Sequence, residues 1–396
     1  MSNLSGNKAE RLLSIDVFRG FTILMMVFVN DLASVRSIPD WMKHAAPEAD
    51  AMTFVDIVFP AFLFIVGMAI PFALRSRINR GETLGSIWTH IGIRTLGLLC
   101  LGVFMVNTGG LNESLSGINR SLWSLLFYTG VILVWNQYRR YEWLRWIGVV
   151  LLVGLAAVYR SGDAAQPGWM HTSWWGILGL IGWAYLTANL VYLLFKRSRA
   201  GMVGCLALLI LLFIGDRSGG LSGWYRLTDL ISVGGHIGGH GSIAVAGMLA
   251  GMLFLPESSI NDSKKRLKWL VIYAIMLAAG GWLLRPLYGI SKVYATPAWC
   301  LYCSAICSLI MAGLYWLIDI KKITGWTFIL KPAGSNPLLA YILPSIFYAG
   351  MALVGLEFWS QWLGEGLIGI FRSILFSFII LYVTHWLTRL NIRLHL

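Results

Sequence analysis

Apolar residues fall in long runs separated by short polar stretches from near the start of the chain to its end, without the strict alternation of a half-buried strand. A helix that crosses a bilayer needs about 20 mostly apolar residues. Twelve segments approach that length: Ile15 to Ala33, Thr53 to Leu74, Ile87 to Asn107, Ser121 to Asn136, Leu144 to Tyr159, Trp174 to Phe195, Met202 to Gly215, Gly241 to Leu255, Lys268 to Leu284, Trp299 to Ile318, Ser335 to Gly355 and Leu367 to Leu387. Those starting at Ser121, Leu144, Met202 and Gly241 run only 14 to 16 residues, so one or two are candidates for broken or re-entrant segments. The pattern predicts an all-α polytopic membrane protein, a bundle of about 10–12 transmembrane helices. A single domain over residues 1–396 is expected, with no soluble domain, and no internal repeat is evident in the sequence.

Charge sharpens this picture. Lys and Arg number 31 against 18 Asp and Glu, a net charge of +13, yet charged residues make up only 12% of the chain. Soluble domains carry roughly 25%, so a soluble enzyme is excluded. A nucleic-acid surface needs clustered basic residues, whereas these are scattered between apolar runs, and no nucleic acid is expected as a partner. With the N-terminus inside, 20 of the 31 basic residues fall in or beside the inner loops and 8 in the outer loops, and Arg19, Arg94 and Arg372 lie within spans. The positive-inside rule therefore predicts that both termini are cytoplasmic. Asp16 and Arg19 interrupt the first apolar run and no small-residue cleavage site follows it, so this run reads as a retained helix. The five Cys all lie in apolar segments and define no disulfide framework; Cys300, Cys303 and Cys307 share one helix face and read as packing residues.

Ionisable residues inside a membrane are costly and usually mark function. The densest set lies in the first 75 residues. Asp16 and Arg19, three apart on one helix face, form either a structural ion pair or part of a ligand site. Asn30 and Asp31 close the first helix, His44 sits in the short loop that follows, and Asp56 opens the second helix in Thr-Phe-Val-Asp. A histidine between helix ends that carry an amide and carboxylates has the parts of a general-base site, with the interfacial polar loop as the plain alternative. His236 and His240 stand four apart in Gly-Gly-His-Ile-Gly-Gly-His-Gly. Zinc would accept that spacing on a helix, but the flanking glycines make a regular helix doubtful and no third ligand is evident, so no metal is predicted and a loop lining a cavity is the better reading. Gly247 and Gly251 read as a helix-packing face. Arg94 and Arg372, isolated in apolar helices, either snorkel, pair with a carboxylate or meet an anionic ligand.

The stretch Arg11-Leu-Leu-Ser-Ile-Asp16-Val-Phe-Arg19-Gly20, then Met26-Val-Phe-Val-Asn30, Lys43-His44-Ala45, Thr53-Phe-Val-Asp56-Ile-Val-Phe-Pro60 and Phe64-Ile-Val-Gly67 resembles the opening of the heparan-α-glucosaminide N-acetyltransferase family. This signature region spans residues 11–75, and weaker likenesses around Ser291-Lys292, Trp299, the run from Gly241 and Pro332 to Asn336 carry it further. The resemblance implies a transmembrane acyltransferase that moves an acetyl group from cytoplasmic acetyl-CoA to the amino group of a terminal glucosamine or related sugar on the outer side. His44 matches the family's catalytic histidine and Asn30 its associated asparagine.

On this basis His44 is the expected general base or acetyl carrier, Asp56 or Asp31 orients its ring, and Asn30 donates to the oxyanion. Asp16, Arg19, Arg94 and Asn336 are candidates for binding the CoA, and His236, His240, Lys292 and Trp299 for binding the acceptor. Expected partners are acetyl-CoA, an amino sugar or glycan and the lipid bilayer, with a homodimer left open and a bacterial inner membrane as the expected location. The alternative is a secondary transporter for N-acetylglucosamine or another amino sugar, although the inverted repeats common in transporters are not evident.

Overall fold

The computed structural model describes residues 12–138, 140–196, 198–224, 230–356, 359 and 362–395. Arg11 of the opening motif and the loop residues Arg139, Arg197 and Arg226 lie outside these. Every one of the twelve apolar segments contains a helix: α1 (Leu13–Leu32), α2 (Val55–Asn79), α3 (Leu84–Asn107), α4 (Arg120–Trp135), α5 (Leu144–Val158), α6 (Gly176–Phe195), α7 (Arg199–Arg217), α8 (Val233–His240 continuing as Gly241–Met252), α9 (Ser263–Tyr288), α10 (Pro297–Leu314), α11 (Pro337–Leu353) and α12 (Gly366–Arg389). Among the described residues, eight helices are long and apolar enough to cross a membrane, and α4, α5 and α11 are shorter apolar helices. The only strands among them are the two-residue pair Ser161–Gly162 and Pro167–Gly168. The chain is an integral, multi-pass all-α membrane protein.

Local chemistry explains several helix starts. Thr83, Asn119, Ser198 and Asp262 each accept a hydrogen bond from an amide in the first turn of the following helix, and Pro297 opens α10 at a position where its missing N–H costs nothing. The cap at Ser198 lets α7 begin at Arg199, so this short apolar segment becomes a 19-residue helix. The four short segments thus differ: α7 reaches spanning length, α4 and α5 keep 16 and 15 residues, and the segment from Gly241 is continued backwards by a π-helix.

The glycine-rich His236–His240 stretch departs from the expected loop. It is π-helical and runs without a break into Gly241–Met252. The glycines serve close packing here. A Cβ on Gly238 would lie 2.8 Å from the Leu209 carbonyl oxygen, and one on Gly239 would lie 2.7 Å from that of Ala295. Further along, a Cβ on Gly247 would overlap the Phe64 carbonyl of α2, and one on Gly67 of α2 would overlap the Ala244 carbonyl. Backbone meets backbone along this seam, which makes α2 and α8 one rigid pair at the centre of the main hydrophobic core. Cys300, Cys303 and Cys307 are buried in α10 and belong to the same core.

Candidate active site

The site begins at the start of α2. Asp56 reaches back to accept from the Thr53 amide at 3.0 Å, the reciprocal half of a capping box. The same Oδ2 accepts from the Ala45 amide at 3.1 Å, which pins the incoming loop. Oδ1 is left to face His44 Nδ1 at 2.7 Å. Asp56 is 1% exposed, and its charge sits at the helix N-terminus, where the dipole favours an anion. With Asp56 ionised, Nδ1 carries the proton and donates it to the carboxylate, so the other ring nitrogen, Nε2, presents its lone pair. The ring itself is half exposed. The arrangement can therefore take a proton from an incoming nucleophile.

Lys292, from the loop between α9 and α10, brings its Nζ to 3.1 and 3.3 Å from the two ring nitrogens of His44 and 4.0 Å from Asp56 Oδ1. Burial pulls its ammonium below the ordinary lysine value, while the charge on Asp56 works the other way. Deeper in the bundle, the His240 ring packs edge-on against Phe59, one turn along α2 from Asp56, and against Trp299, with ring centres 5.4 and 6.1 Å apart. His236 lies 5.9 Å from His240. His236 Nδ1, His240 Nδ1 and Trp299 Nε1 are buried and find no hydrogen-bond partner among the described residues. The structure thus gathers His44, Asp56 and Lys292 into one contact network and stacks the remaining three acceptor candidates together beneath it.

Asp31 and Asn30 are placed differently. Asp31 is buried in a network of its own: Arg372 Nη2 at 3.0 Å, Ser373 Oγ at 2.5 Å and the Tyr348 hydroxyl all donate to its carboxylate. Of the two carboxylates considered for orienting His44, only Asp56 touches the ring among the described residues. Arg372 is accordingly paired, and its Nη1 also donates to the Trp359 carbonyl at 3.2 Å. Asn30 is exposed near the end of α1 and its side chain makes no hydrogen bond to a described residue.

At the opposite end of the bundle a cavity of about 420 Å³ opens between α1, α2, α3, α6 and α11. Arg77 and His395 stand at that end, and Arg19, His90 and Arg94 lie a turn or more further in. Beyond them the walls are apolar, with Met26, Phe62, Ile65 and Leu98 among them. The Arg94 guanidinium lies 4.7 Å above the Tyr185 ring, and its Nε is buried without a partner among the described residues. Arg19 pairs with Asp16 at 3.5 Å. Asn336 does not line the cavity. Its side chain bonds Thr388, the Ile392 carbonyl and the Leu394 amide, and thereby holds the C-terminal tail that contributes Leu394 and His395 to the wall. His90, four residues before Arg94 on the same helix face, is a cavity residue that sequence reasoning missed, although the spacing was available to find it. His395 and Arg77 carried no such signal, since both sit in or beside polar loops.

A multi-pass membrane protein with a carboxylate–histidine dyad at one end and a cationic, apolar-walled cavity at the other is the class that fold and site define. The chain belongs to the DUF5009 family, a domain of unknown function, which matches residues 11–223. It is 36% identical over 97 residues to heparan-alpha-glucosaminide N-acetyltransferase of Homo sapiens and 35% identical over 101 residues to that of Mus musculus. These stretches cover 24% and 26% of this chain, and 14% and 15% of the two relatives. The chain therefore spans only about one seventh of the length of the curated relatives it matches. The family likeness read from the opening motifs is borne out.

Proposed function

We propose that this protein is a membrane acetyltransferase that carries an acetyl group from acetyl-CoA, held in the Arg19/Arg94 cavity, to the amino group of a terminal glucosamine or related sugar arriving at His44. The observation that carries this reading is the pairing of two unlike sites on one helix. Asp56 of α2 fixes the His44 dyad, and 21 residues on, about 32 Å of helix, Arg77 stands at the mouth of the cavity. The cationic part suits the phosphates of a CoA, and the apolar part suits its pantetheine arm. Phe62, the lining residue of α2 nearest the dyad, stops six residues or about 9 Å short of Asp56. The thioester would cover that gap. The cavity end carries most of the basic loops, which supports a cytoplasmic donor side and cytoplasmic termini.

Chemically, Asp56 holds the His44 ring with Nε2 unprotonated. That nitrogen takes the proton of the attacking amine, or attacks the thioester itself to form an acetyl-imidazole that the acceptor then resolves. Purified protein in liposomes, given labelled acetyl-CoA on one side and glucosamine on the other, should yield acetylated sugar, and His44→Ala should abolish the yield while leaving acetyl-CoA binding intact. Turnover by the His44 variant at the wild-type rate would refute the reading. Sugar uptake that needs no acetyl-CoA would support transport in its place.

A further inference from the structure

Lys292 lies in a loop fastened on both sides of it, by one amide and several side chains, to the loop that carries His44. Ile290 N donates to Asp50 Oδ1 at 2.8 Å, Arg285 Nε to Asp50 Oδ2 at 2.9 Å, Ser291 Oγ to the Pro47 carbonyl at 2.8 Å, and the Tyr294 hydroxyl to Glu48 Oε1 at 2.5 Å. Within the loop, Thr296 Oγ1 donates to the Gly289 carbonyl and accepts from Ser291 N, each at 3.0 Å. The contacts to the His44 loop join residues 235 to 248 apart in sequence. Between the fastened residues, the Lys292 side chain is directed onto the His44 ring.

The manner of the contact is informative. An in-plane hydrogen bond to one imidazole nitrogen leaves the other much further away, so distances of 3.1 and 3.3 Å put the ammonium across the ring rather than on either lone pair. Nε2 remains open in its own plane. The ammonium's donors are not committed to the ring, and Asp56 Oδ1 at 4.0 Å lies beyond hydrogen-bond reach. The groups that bear on the ring are Asp56 from α2 and Lys292; the other charges along its own loop are the Lys43–Asp40 pair and Glu48 and Asp50, which Tyr294 and Arg285 engage, and His240 lies deeper on α8. A cation with spare N–H bonds is therefore held beside the nitrogen at which the proposed transfer takes place.

Resting on the acetyl-transfer reading above, we propose that Lys292 is a catalytic residue that stabilises the oxyanion of the tetrahedral intermediate. The acceptor nitrogen forms its bond to the acetyl carbon, the carbonyl π pair moves onto oxygen, and the amine proton passes to His44 Nε2. Collapse re-forms the C=O bond and breaks the C–S bond, and the leaving thiolate takes the proton from His44. The products are an amide and a CoA thiol, and His44 is again neutral. During the intermediate two new charges appear, and each has a fixed partner: Asp56 faces the imidazolium and Lys292 faces the oxyanion.

The test is acetyl transfer by the reconstituted full chain with Lys292→Met and Lys292→Arg, together with the melting shift that acetyl-CoA induces in each. Lys292→Met should lower kcat by about 10²- to 10³-fold with the KM for acetyl-CoA and the melting shift unchanged, and Lys292→Arg, which keeps a cation, should recover at least part of the loss. A Lys292→Cys variant alkylated with bromoethylamine in the folded state, compared with alkylated wild type, restores an ammonium at the same length and should regain activity. A Lys292→Met kcat within about threefold of wild type, well under the loss of one oxyanion donor, would overturn the assignment, as would the absence of any rescue. A wild-type chain that transfers no acetyl group would overturn the acetyl-transfer reading and this assignment together, whereas an active wild type with unimpaired variants overturns the role of Lys292 alone.

Discussion

Asp56→Asn separates the orienting role of this residue from its structural one. The carboxylate has two jobs on two oxygens. Oδ2 collects the amides of Thr53 and Ala45 and stands 3.3 Å from the Thr53 hydroxyl, while Oδ1 takes His44 Nδ1. An asparagine has one acceptor oxygen. The several donors on the Oδ2 side claim it, which turns the amide NH₂ towards His44. Nδ1 must then accept, the ring proton moves to Nε2, and the base is lost although every heavy atom stays in place. The same carboxylate-to-amide change costs about 10⁴ in kcat in a serine-hydrolase triad, so a loss of about 10³- to 10⁴-fold is expected, or about 4–5.5 kcal/mol of transition-state stabilisation. Because the backbone donors stay satisfied, stability should fall by only about 1–2 kcal/mol. Asp56→Ala, which orphans them, should cost more. Steady-state kinetics and detergent melting curves of the two variants read these quantities. An Asp56→Asn enzyme with kcat within about tenfold of wild type, far above the loss expected for a wrong tautomer, would refute the tautomer argument.

Three further outcomes are expected. Arg372→Met strands the buried Asp31 charge and should destabilise the fold by about 3–5 kcal/mol, with the Asp31→Asn/Arg372→Met double variant recovering much of it; equal melting of the single and double variants would contradict a paired charge. Arg94→Ala should weaken acetyl-CoA binding about 10- to 100-fold, the value of one or so charge-assisted hydrogen bond, as measured by titration calorimetry, and unchanged affinity would remove Arg94 from the donor site. For Lys292, burial lowers the folded-state pKa below the unfolded one, so between those two values the unfolded chain binds more protons and stability rises with pH. Relative to Lys292→Met, the wild-type melting temperature should therefore climb as the solution is made alkaline towards the ordinary lysine value, and parallel melting profiles would contradict that sign.

Much of this was legible in the chain because the bilayer imposes a coarse code. Apolar runs, polar breaks and misplaced charges located the twelve long apolar helices and singled out His44, Asp56 and Arg94, but not the short helices Glu113–Ser116 and Lys331–Ser335. The second apolar run, read from Thr53, begins two residues before α2 itself. What the sequence withheld was pairing across distance. Asp31 and Asp56 look equivalent beside His44, and only the approach of α12, bringing Arg372 and Ser373, assigns Asp31 to a different network. The glycines around His236 and His240 were ambiguous for a related reason. Read locally they argue against a helix, but the backbones of α7 and of the Lys292 loop press so close that only glycine fits in the helix that forms. Asn336 sits next to cavity residues in sequence while its side chain turns towards the tail, a matter of rotamer and neighbour that no spacing rule reports.

The close seam between α2 and α8 has a mechanical consequence. Carbonyls that touch glycine faces leave no slack for one helix to slide or tilt against the other, so α2 acts as a measuring rod set in a rigid mount. One of its ends carries the carboxylate that sets the reacting ring, and the other carries the arginine at the cavity mouth. On the proposed reaction, the length between them decides which donors work: a thioester on an arm too short for the span would be gripped by its charged end and still never meet His44.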